Sequence, residues 1–369
     1  MKCDYFGVCG SCRDFETGYD GQLNHKVERV KELFASLYDQ EIDVCRSPEE
    51  KFRSRAEFKI YHVDGRMSYA MNRMDAQGAV MIDRCPIVSP PIAAIMEPLL
   101  QIIAELGIGF KLFGIDFLAS GEGEIAVTLL YHRPLDEEWK AKALELQTRL
   151  GIFIIGRSRK QKMVLERDYV TESLTINGRD YRYIHIENSF TQPNPGVNAQ
   201  MIEWSLKHLD GIGGDLLELY CGAGNFTIPF ASKFDRVLAT EISKASIRAA
   251  KENMLLNDVS NIDFVRLSAE EFTQALDRVR VFNRMERIDL DLYRLQSLFV
   301  DPPRAGLDEA ACAFASRFDH VLYISCNPET LLRDLQILVQ THEIERMAAF
   351  DQFPYTHHLE MGVKLRKKR

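Results

Sequence analysis

The chain has 369 residues, of which 46% are hydrophobic and 27% charged, and its formal net charge at pH 7 is −8. This length is enough for two domains with separate cores, and the composition is that of an ordinary soluble globular protein. The absence of an 18-residue apolar stretch and of a signal-peptide h-region excludes a membrane segment and leads us to expect a cytoplasmic protein. The acidic balance does not indicate a general nucleic-acid binder, so an RNA contact would depend on local basic patches.

Three cysteines, Cys3, Cys9 and Cys12, lie within the first twelve residues among several glycines. The segment is too irregular for a helix or strand, and a loop of this kind can wrap a metal. In a chain without an export signal, crowded cysteines favour metal binding over a disulfide framework. An amphipathic helix is expected next, because apolar residues recur at helical spacing between Leu23 and Leu37.

The following part of the chain predicts an α+β domain. Residues 52–61 alternate apolar with basic side chains, and residues 125–131 form a candidate buried strand. Helical periodicity covers 92–106 and 134–150, the latter with acidic residues in its first turn. The basic run at 156–162 is expected to contact RNA, with a solvated surface as the alternative.

A polar, proline-bearing stretch around residues 186–195 predicts a boundary between a first domain, residues 1–186, and a second, residues 187–369. Beyond it, short apolar strands alternate with helices, which predicts a mostly parallel, doubly wound sheet. The basic residues from Lys364 to Arg369 are expected to form a frayed end.

A Gly-x-Gly turn follows the first strand of this sheet, at Gly222 and Gly224. Such glycines let a ligand lie against backbone N–H groups at a helix N-terminus. The third glycine of the dinucleotide fingerprint is missing, so the motif alone is weak. Glu241, at the end of the next strand, could bind both hydroxyls of a ribose. Together they favour S-adenosylmethionine over NAD, because the group joined to the adenosine must be small.

Cys326 follows the short apolar strand 321–324, where an open α/β sheet presents side chains to its ligand crevice. A thiolate that adds to C6 of uracil makes C5 nucleophilic enough to accept a methyl group, after which a base must remove the C5 proton. Cys326 and Glu360 could fill these two roles. The alternatives are an inert core cysteine and a surface glutamate.

These residues belong to long motifs, and through them the chain resembles the RNA uracil-5-methyltransferase family. Within that family the chain is most similar to the bacterial tRNA branch, which makes ribothymidine in the T-loop, and the similarity extends to segments around Arg55 and His132. The motifs are Asn188-Ser189-Phe190-Thr191-Gln192-Pro193-Asn194, Leu217-Glu218-Leu219-Tyr220-Cys221-Gly222, Phe299-Val300-Asp301-Pro302-Pro303-Arg304, Ile324-Ser325-Cys326-Asn327-Pro328-Glu329-Thr330 and Phe350-Asp351-Gln352-Phe353-Pro354-Tyr355-Thr356-His357-His358.

The resemblance implies an α/β architecture, with a C-terminal Rossmann-like class I methyltransferase domain and an N-terminal α+β RNA-binding domain. It implies S-adenosylmethionine-dependent methylation of uracil C5 in the tRNA T-arm, with Cys326 as nucleophile and Glu360 as base. The S-adenosylmethionine contacts that it implies are Gln192, Tyr220, Asn225, Glu241 and Asp301. The RNA contacts that it implies are Arg55, Phe113, His132 and Arg304.

The cysteines depart from the tRNA branch. Cys3, Cys9 and Cys12, with Cys85 before a proline, are similar in spacing to the iron–sulfur ligands of the ribosomal-RNA branch, so the resemblance implies a 4Fe-4S cluster, with a structural zinc as the alternative. The remaining motifs favour tRNA, and the same reaction on a ribosomal-RNA loop is the alternative. A non-catalytic RNA-binding factor is a third reading, which the presence of both Cys326 and Glu360 disfavours. No obligate protein partner is expected.

Overall fold

The computed structural model describes all 369 residues and contains nine α-helices and seventeen β-strands. The helices are α1 Gly18–Phe34, α2 Pro90–Glu105, α3 Glu137–Leu150, α4 Pro195–Leu209, α5 Thr227–Phe230, α6 Lys244–Leu256, α7 Ala269–Leu276, α8 Glu309–Ala315 and α9 Pro328–Leu338. The strands are β1 Asp43–Cys45, β2 Arg55–Val63, β3 Arg66–Asn72, β4 Ala79–Ile82, β5 Leu112–Ala119, β6 Ile125–Tyr131, β7 Phe153–Ser158, β8 Gln161–Val164, β9 Tyr169–Ile176, β10 Arg179–Ile186, β11 Asp215–Leu219, β12 Arg236–Thr240, β13 Ile262–Val265, β14 Leu295–Val300, β15 His320–Ser325, β16 His342–Phe350 and β17 Glu360–Lys367.

Strands β2 to β8 form a seven-stranded sheet in the order β4-β3-β2-β5-β6-β7-β8, antiparallel except for the β6–β7 pair. The first part of β2 alternates buried and exposed residues, as the sequence predicted, because one face packs on the core beneath α2 and α3. Helix α3 begins where the Asp136 side chain accepts a hydrogen bond from Trp139 N, and it ends at Gly151, whose φ is 64°. The predicted α+β character of this part is confirmed.

The second sheet has eight strands in the order β1-β16-β17-β15-β14-β11-β12-β13. The block β15-β14-β11-β12-β13 is entirely parallel, and its strands are buried throughout or nearly so. Helices cover both faces, since separate apolar clusters lie on the two sides of the sheet. The predicted mostly parallel, doubly wound sheet is confirmed.

Elements from the first half of the chain also join this sheet. Strand β1 pairs in parallel with β16, Asp43 opposite Ala348, and α1 buries Val30 and Phe34 in one of the sheet's two cores. The hairpin β9–β10 packs against α4 and α6. The domain boundary between residues 186 and 187 stays a prediction. In the structure, β1, α1 and the β9–β10 hairpin precede this boundary in the chain but pack against elements that follow it.

The C-terminal residues are not a frayed end, so that prediction was wrong. Strand β17 lies inside the sheet and pairs antiparallel with β15 on one side and β16 on the other. Its apolar residues Met361, Val363 and Leu365 are fully buried, while Lys364 and Arg366 pair with Glu345. None of the helices is long and apolar enough to span a membrane.

Candidate active site

Several of the predicted catalytic and cofactor-binding residues lie together where the parallel strands end. Tyr220 follows β11, Glu241 follows β12, Asp301 follows β14 and Cys326 follows β15. Because these four strands are neighbours in one sheet, their carboxyl ends form a single edge. Glu360 reaches the same edge from the opposite direction, as the first residue of antiparallel β17.

The strand register places Cys326 opposite Glu360. Ser325 of β15 pairs with Met361 of β17, so the next position on each strand brings the thiol and the carboxyl group together. Burial, followed by the charges of Glu360 and Asp301, raises the pKa of the Cys326 thiol to about 11. Burial, with Asp301 as the smaller cause, raises the pKa of Glu360 to about 8. A thiol beside a buried carboxyl group is an arrangement suited to nucleophilic addition followed by proton removal.

Two further carboxyl groups, those of the half-buried Asp301 and the buried Glu218, lie near this pair. Burial raises the pKa of Asp301 to about 7, and burial together with the neighbouring Asp301 raises the pKa of Glu218 well above its ordinary value. One oxygen of Glu218, Oε2, is buried without a hydrogen-bond partner. Buried acids favour a cationic ligand, because a positive charge compensates for the lost solvation of the carboxylates. The sulfonium of S-adenosylmethionine supplies such a charge.

The glycine turn after β11 is held in an unusual backbone conformation. Tyr220, Gly222 and Gly224 all have positive φ, at 64°, 54° and 83°. A Cβ added at Gly222 would meet no atom within 4 Å, so open space lies in front of this backbone. Glu241 closes the turn, because its carboxylate accepts hydrogen bonds from Gly222 N at 3.2 Å and from Ser243 N at 2.7 Å. The open space in front of Gly222, bordered by Glu241, forms a recess beside the glycine turn.

The two amides predicted to bind the cofactor are held by amides that the sequence reasoning missed. Asn225 and Asn198 exchange two hydrogen bonds of 2.8 Å, and Gln352 Nε2 donates to Gln192 Oε1 at 2.7 Å. Gln352 is fully buried, and its Oε1 has no partner. Gln352 lies in one of the family motifs, but neither it nor Asn198 gave a signal of its own in the sequence, because their contacts span 160 and 27 residues.

A family model described as tRNA (Uracil-5-)-methyltransferase matches residues 18–368. A relative from Sulfurimonas denitrificans, named tRNA/tmRNA (uracil-C(5))-methyltransferase, is 58% identical over 369 residues, with 100% of each chain covered. The chain belongs to the tRNA (uracil-5-)-methyltransferase family. A relative of the same name from Cellvibrio japonicus is 52% identical over 351 residues, which cover 95% of this chain and 96% of the relative. The predicted family and enzyme class are confirmed.

The fold is also that of a solved structure, Pyrococcus abyssi tRNA (uracil-54, C5)-methyltransferase in complex with S-adenosyl-L-homocysteine. The two structures superpose with a TM-score of 0.72 at 24% sequence identity, covering 94% of this chain and 83% of that chain. The likeness includes both the methyltransferase sheet and the additional N-terminal β domain. The predicted two-part architecture is therefore confirmed.

The four predicted RNA contacts lie in three places. Phe113, 38% exposed, stacks on His132 with ring centroids 3.9 Å apart, on the surface of the N-terminal sheet. Arg55 donates to Ser189 O at 2.6 Å, so it is anchored at the joint between the two sheets. Arg304 is exposed beside the active-site edge, where its charge lowers the pKa of the Cys326 thiol, a smaller effect than burial.

Two of the four basic residues in the run at 156–162 form ion pairs within the chain. Arg157 donates two hydrogen bonds of 2.7 Å to Glu187, and Lys162 lies 3.1 Å from the same carboxylate and 2.6 Å from Asp168. Glu187 is buried, and a buried carboxylate needs such partners. Arg159 and Lys160 are exposed and take no part in this ion-pair cluster, so RNA contact by this run stays a prediction.

The four predicted metal-ligating cysteines line one cavity of about 30 Å³, with Cys3, Cys9, Cys12 and Cys85 all in its wall. Burial and then the thiols of Cys85, Cys9 and Cys3 raise the pKa of Cys12 to about 12. All four cysteines are free of disulfides. No three His, Cys, Asp or Glu side chains are arranged as a metal centre. The sequence pattern thus brings the thiols to one place without fixing what they bind.

Proposed function

We propose that this protein transfers the methyl group of S-adenosylmethionine to C5 of the T-loop uridine of tRNA, through a covalent adduct with Cys326. The observation that carries the proposal is the cross-strand placement of Cys326 opposite Glu360, at the strand edge where the glycine turn also lies. Family membership and relatives named tRNA/tmRNA (uracil-C(5))-methyltransferase support the same reaction and favour tRNA over ribosomal RNA. We infer that the enzyme works in the cytoplasm, where tRNA is modified.

The first step joins sulfur to carbon. The Cys326 thiolate adds to C6, the C5=C6 electrons move into the C4 carbonyl as an enolate, and C5 then takes the methyl group while neutral S-adenosylhomocysteine leaves. The raised pKa of the thiol means that it is protonated in the ligand-free protein. A bound sulfonium cation favours the thiolate because opposite charges in a buried site stabilise one another.

The second step restores the aromatic ring. Glu360 takes the proton from C5, the electrons of the C5–H bond form the C5=C6 double bond, and the C6–S bond breaks as Cys326 departs as a thiolate. Glu360 suits this role because its pKa of about 8 makes its ionised form a stronger base than an ordinary carboxylate. Roughly a tenth of it is ionised at pH 7 in the ligand-free protein, and a bound sulfonium cation favours the ionised form.

Five residues are proposed to hold the methyl donor. Glu241 binds the ribose hydroxyls, Asp301 and Tyr220 border the adenosine and sulfonium, and Asn225 and Gln192 direct amide groups at the methionine moiety or the base. Their support is the recess beside Gly222 and the carboxyl group of Asp301, whose pKa burial raises to about 7 and whose ionised form a cationic ligand would stabilise. Each lies at, or is tied by hydrogen bonds to, the same strand edge. The five residues are Gln192, Tyr220, Asn225, Glu241 and Asp301.

Arg55, Phe113, His132 and Arg304 are proposed to contact the RNA. The Phe113–His132 stack offers an aromatic face for an unstacked base, since RNA enzymes that work on a base must take it out of its stack. Arg304 stands at the mouth of the active site and could pair with a phosphate. The overall charge of −8 makes these local contacts necessary, because the chain as a whole does not attract RNA.

The test uses tritiated S-adenosylmethionine with tRNA, tmRNA and ribosomal-RNA transcripts, and with Cys326→Ala and Glu360→Gln. We expect label in tRNA, no product and no adduct with Cys326→Ala, and with Glu360→Gln a protein–RNA adduct that survives a denaturing gel. A tRNA whose T-loop uridine is replaced by cytidine is the matched substrate control and should stay unlabelled. Labelling of ribosomal RNA alone would contradict the substrate proposal, and full activity of Cys326→Ala would contradict the mechanism.

We also propose that Cys3, Cys9, Cys12 and Cys85 hold a 4Fe-4S cluster, with zinc as the alternative. The donor set fits, since four thiols share a cavity whose other walls are mainly apolar, and such clusters are bound by four cysteines. The buried guanidinium of Arg53 lies close enough for Cys85 and Cys12 to affect its pKa, so a positive charge is already present to offset thiolates. A cluster would brace the segment, since methyl transfer consumes no electrons.

The metal proposal is tested on protein purified without oxygen. For a cysteine-bound 4Fe-4S cluster we expect about four iron and four sulfide ions per chain. The protein should be brown, with an absorbance at about 400 nm that dithionite bleaches. Cys45→Ser, a change to a cysteine outside the cavity, should retain the colour, whereas Cys12→Ser should lose it. A colourless protein with one zinc per chain would establish the alternative, and one with neither would refute a metal site.

A further inference from the structure

The segment that carries Glu360 into the active site is fastened from the N-terminal side. Residues 351–359 join β16 to β17, and Asp351 at the start of this connection is fully buried. The Asp351 carboxylate accepts hydrogen bonds from Gln22 at 2.8 Å and from Lys26 at 2.7 Å, and Lys26 also donates to Phe353 O at 2.9 Å. Helix α1 therefore fixes the first half of the connection.

The second half is fixed at Tyr355, which has the strained φ of 62° and is 1% exposed. Its carbonyl oxygen accepts hydrogen bonds from Arg13 N at 2.8 Å and from Asp14 N at 3.0 Å, and its own N–H donates to Gln22 Oε1 at 3.2 Å. A left-handed tyrosine persists only where its surroundings over-determine it. Here two consecutive N–H groups of the N-terminal segment provide much of that determination.

The same N-terminal segment carries three of the four cavity cysteines. Cys12 precedes Arg13 directly and shares a small apolar cluster with Tyr355, and the Phe6 ring lies 6.1 Å from the Tyr355 ring. The family model begins at residue 18, so these contacts come from outside the part that it describes. The cysteine-lined cavity and the segment 351–359, which leads to Glu360, are thus joined by backbone hydrogen bonds. A change at the cavity can therefore alter the position of Glu360 without any electron transfer.

We propose that Tyr355 is a positioning residue through which the cysteine-bearing segment, residues 3–14, sets Glu360 for removal of the C5 proton. The inference rests on the proposed function. It concerns the second step alone: the proton passes from C5 to Glu360, the C–H electrons close C5=C6, and Cys326 leaves as thiolate. If the segment is released, Glu360 loses its alignment while the thiol attack and methyl transfer, made on β15 and the glycine turn, proceed.

The test removes one of the two hydrogen bonds to Tyr355 O in the full-length chain. Asp14→Pro deletes the N–H that bonds Tyr355 O, whereas Asp14→Ala keeps that N–H and deletes only the carboxylate. Glu16→Pro is the matched proline control: Glu16 is exposed and is the second residue of the Phe15–Gly18 turn, a position at which proline is favoured.

For Asp14→Pro we expect turnover to fall roughly tenfold or more, since a displacement of about 1 Å can cost two orders of magnitude. The methylated protein–tRNA adduct should accumulate on denaturing gels, the single-turnover rate of adduct formation should stay within about twofold of wild type, and S-adenosylmethionine affinity should not change. Asp14→Ala and Glu16→Pro should behave as wild type. Phe6→Ala, which removes the ring beside Tyr355, should show the same accumulation more weakly.

Unchanged turnover in both Asp14→Pro and Phe6→Ala would overturn the inference. So would equal losses in adduct formation and turnover, because they would mean general damage and not a misplaced base. If Asp14→Pro does not fold, Phe6→Ala decides by the same two rates. A wild-type enzyme that forms neither adduct nor methylated uridine would instead overturn the proposed function, which separates the two failures.

Discussion

Glu360 should make the ligand-free protein less stable at neutral pH than a neutral side chain in its place. Burial raises the pKa of Glu360 from an ordinary 4.5 to about 8. The folded state therefore keeps a proton that the unfolded chain has already released at pH 7. The stability from this group is complete below pH 4.5 and declines as the pH rises to about 8. Glu360→Gln removes the titration while preserving shape.

The size of the effect follows from the interval between the two pKa values. Each pH unit within the interval costs about 1.4 kcal/mol, so the penalty at pH 7 is at most about 3 kcal/mol and at pH 5 below about 1 kcal/mol. Glu360→Gln should therefore raise the free energy of unfolding by about 2 to 3 kcal/mol at pH 7, and hardly at pH 5. The residue that performs the proton transfer thus costs the fold stability.

Urea unfolding of the ligand-free protein at both pH values measures this, followed by tryptophan fluorescence in a Trp139→Phe background, which leaves Trp204 as the one tryptophan. That indole packs against Gly362 of β17, where an added Cβ would lie 2.8 Å from it, so it reports on the strand that carries Glu360. Glu97→Gln, a change to an exposed residue of α2, is the control and should do nothing at either pH. A stabilisation that is equal at pH 5 and pH 7, or a destabilisation at pH 7, would refute the reasoning.

Three further outcomes are expected. Formation of free 5-methyluridine should speed up as the pH rises from 6 to 9, because Cys326 must lose a proton for the addition step and Glu360 must be ionised for the later proton removal, and burial raises the pKa of each; a flat profile under single-turnover conditions would contradict this. Gly222→Ala should cost about 1 kcal/mol through its positive φ and weaken S-adenosylmethionine binding at least tenfold in a calorimetric titration, since its Cβ would enter the ligand recess. Lys26→Met should destabilise the fold by about 3 to 5 kcal/mol in denaturant, because it leaves Asp351 buried and charged without its cationic partner.

Much of the catalytic site could be predicted because it depends on strand ends. Short apolar runs identify parallel strands, and residues at their carboxyl ends share one edge of the sheet, which is why Glu241 and Cys326 could be assigned to it from the sequence. Tyr220 and Asp301, which lie at the same edge, were implied by the family resemblance. The pairing of Cys326 with Glu360 came from chemistry and from the family resemblance. Only the structure shows its basis, the antiparallel register of β15 and β17.

The parts that could not be predicted depend on contacts between distant residues. The end of β17 resembles a basic tail in the sequence because Lys364 and Arg366 are charged. The sequence does not show that Leu365 between them is buried, or that both charges pair with Glu345 on another strand. Likewise Arg157 and Lys162 read as a surface for RNA because Glu187, which neutralises them, is 30 and 25 residues away in the chain. Local charge shows that a patch exists and does not show what it faces.

The insertion of β17 between β15 and β16, with β1 at the outer side of β16, also sets the order in which this protein can fold. Asp43 must find Ala348, a partner 305 positions away, and contacts of such length form slowly. The sheet of β2 to β8 closes within residues 55–164 and can assemble as soon as they are synthesised. Residues 18–45 cannot form their native contacts until β16 and β17 have been synthesised. The carboxylate of Glu360, the first residue of β17, is therefore among the last groups to reach its native position.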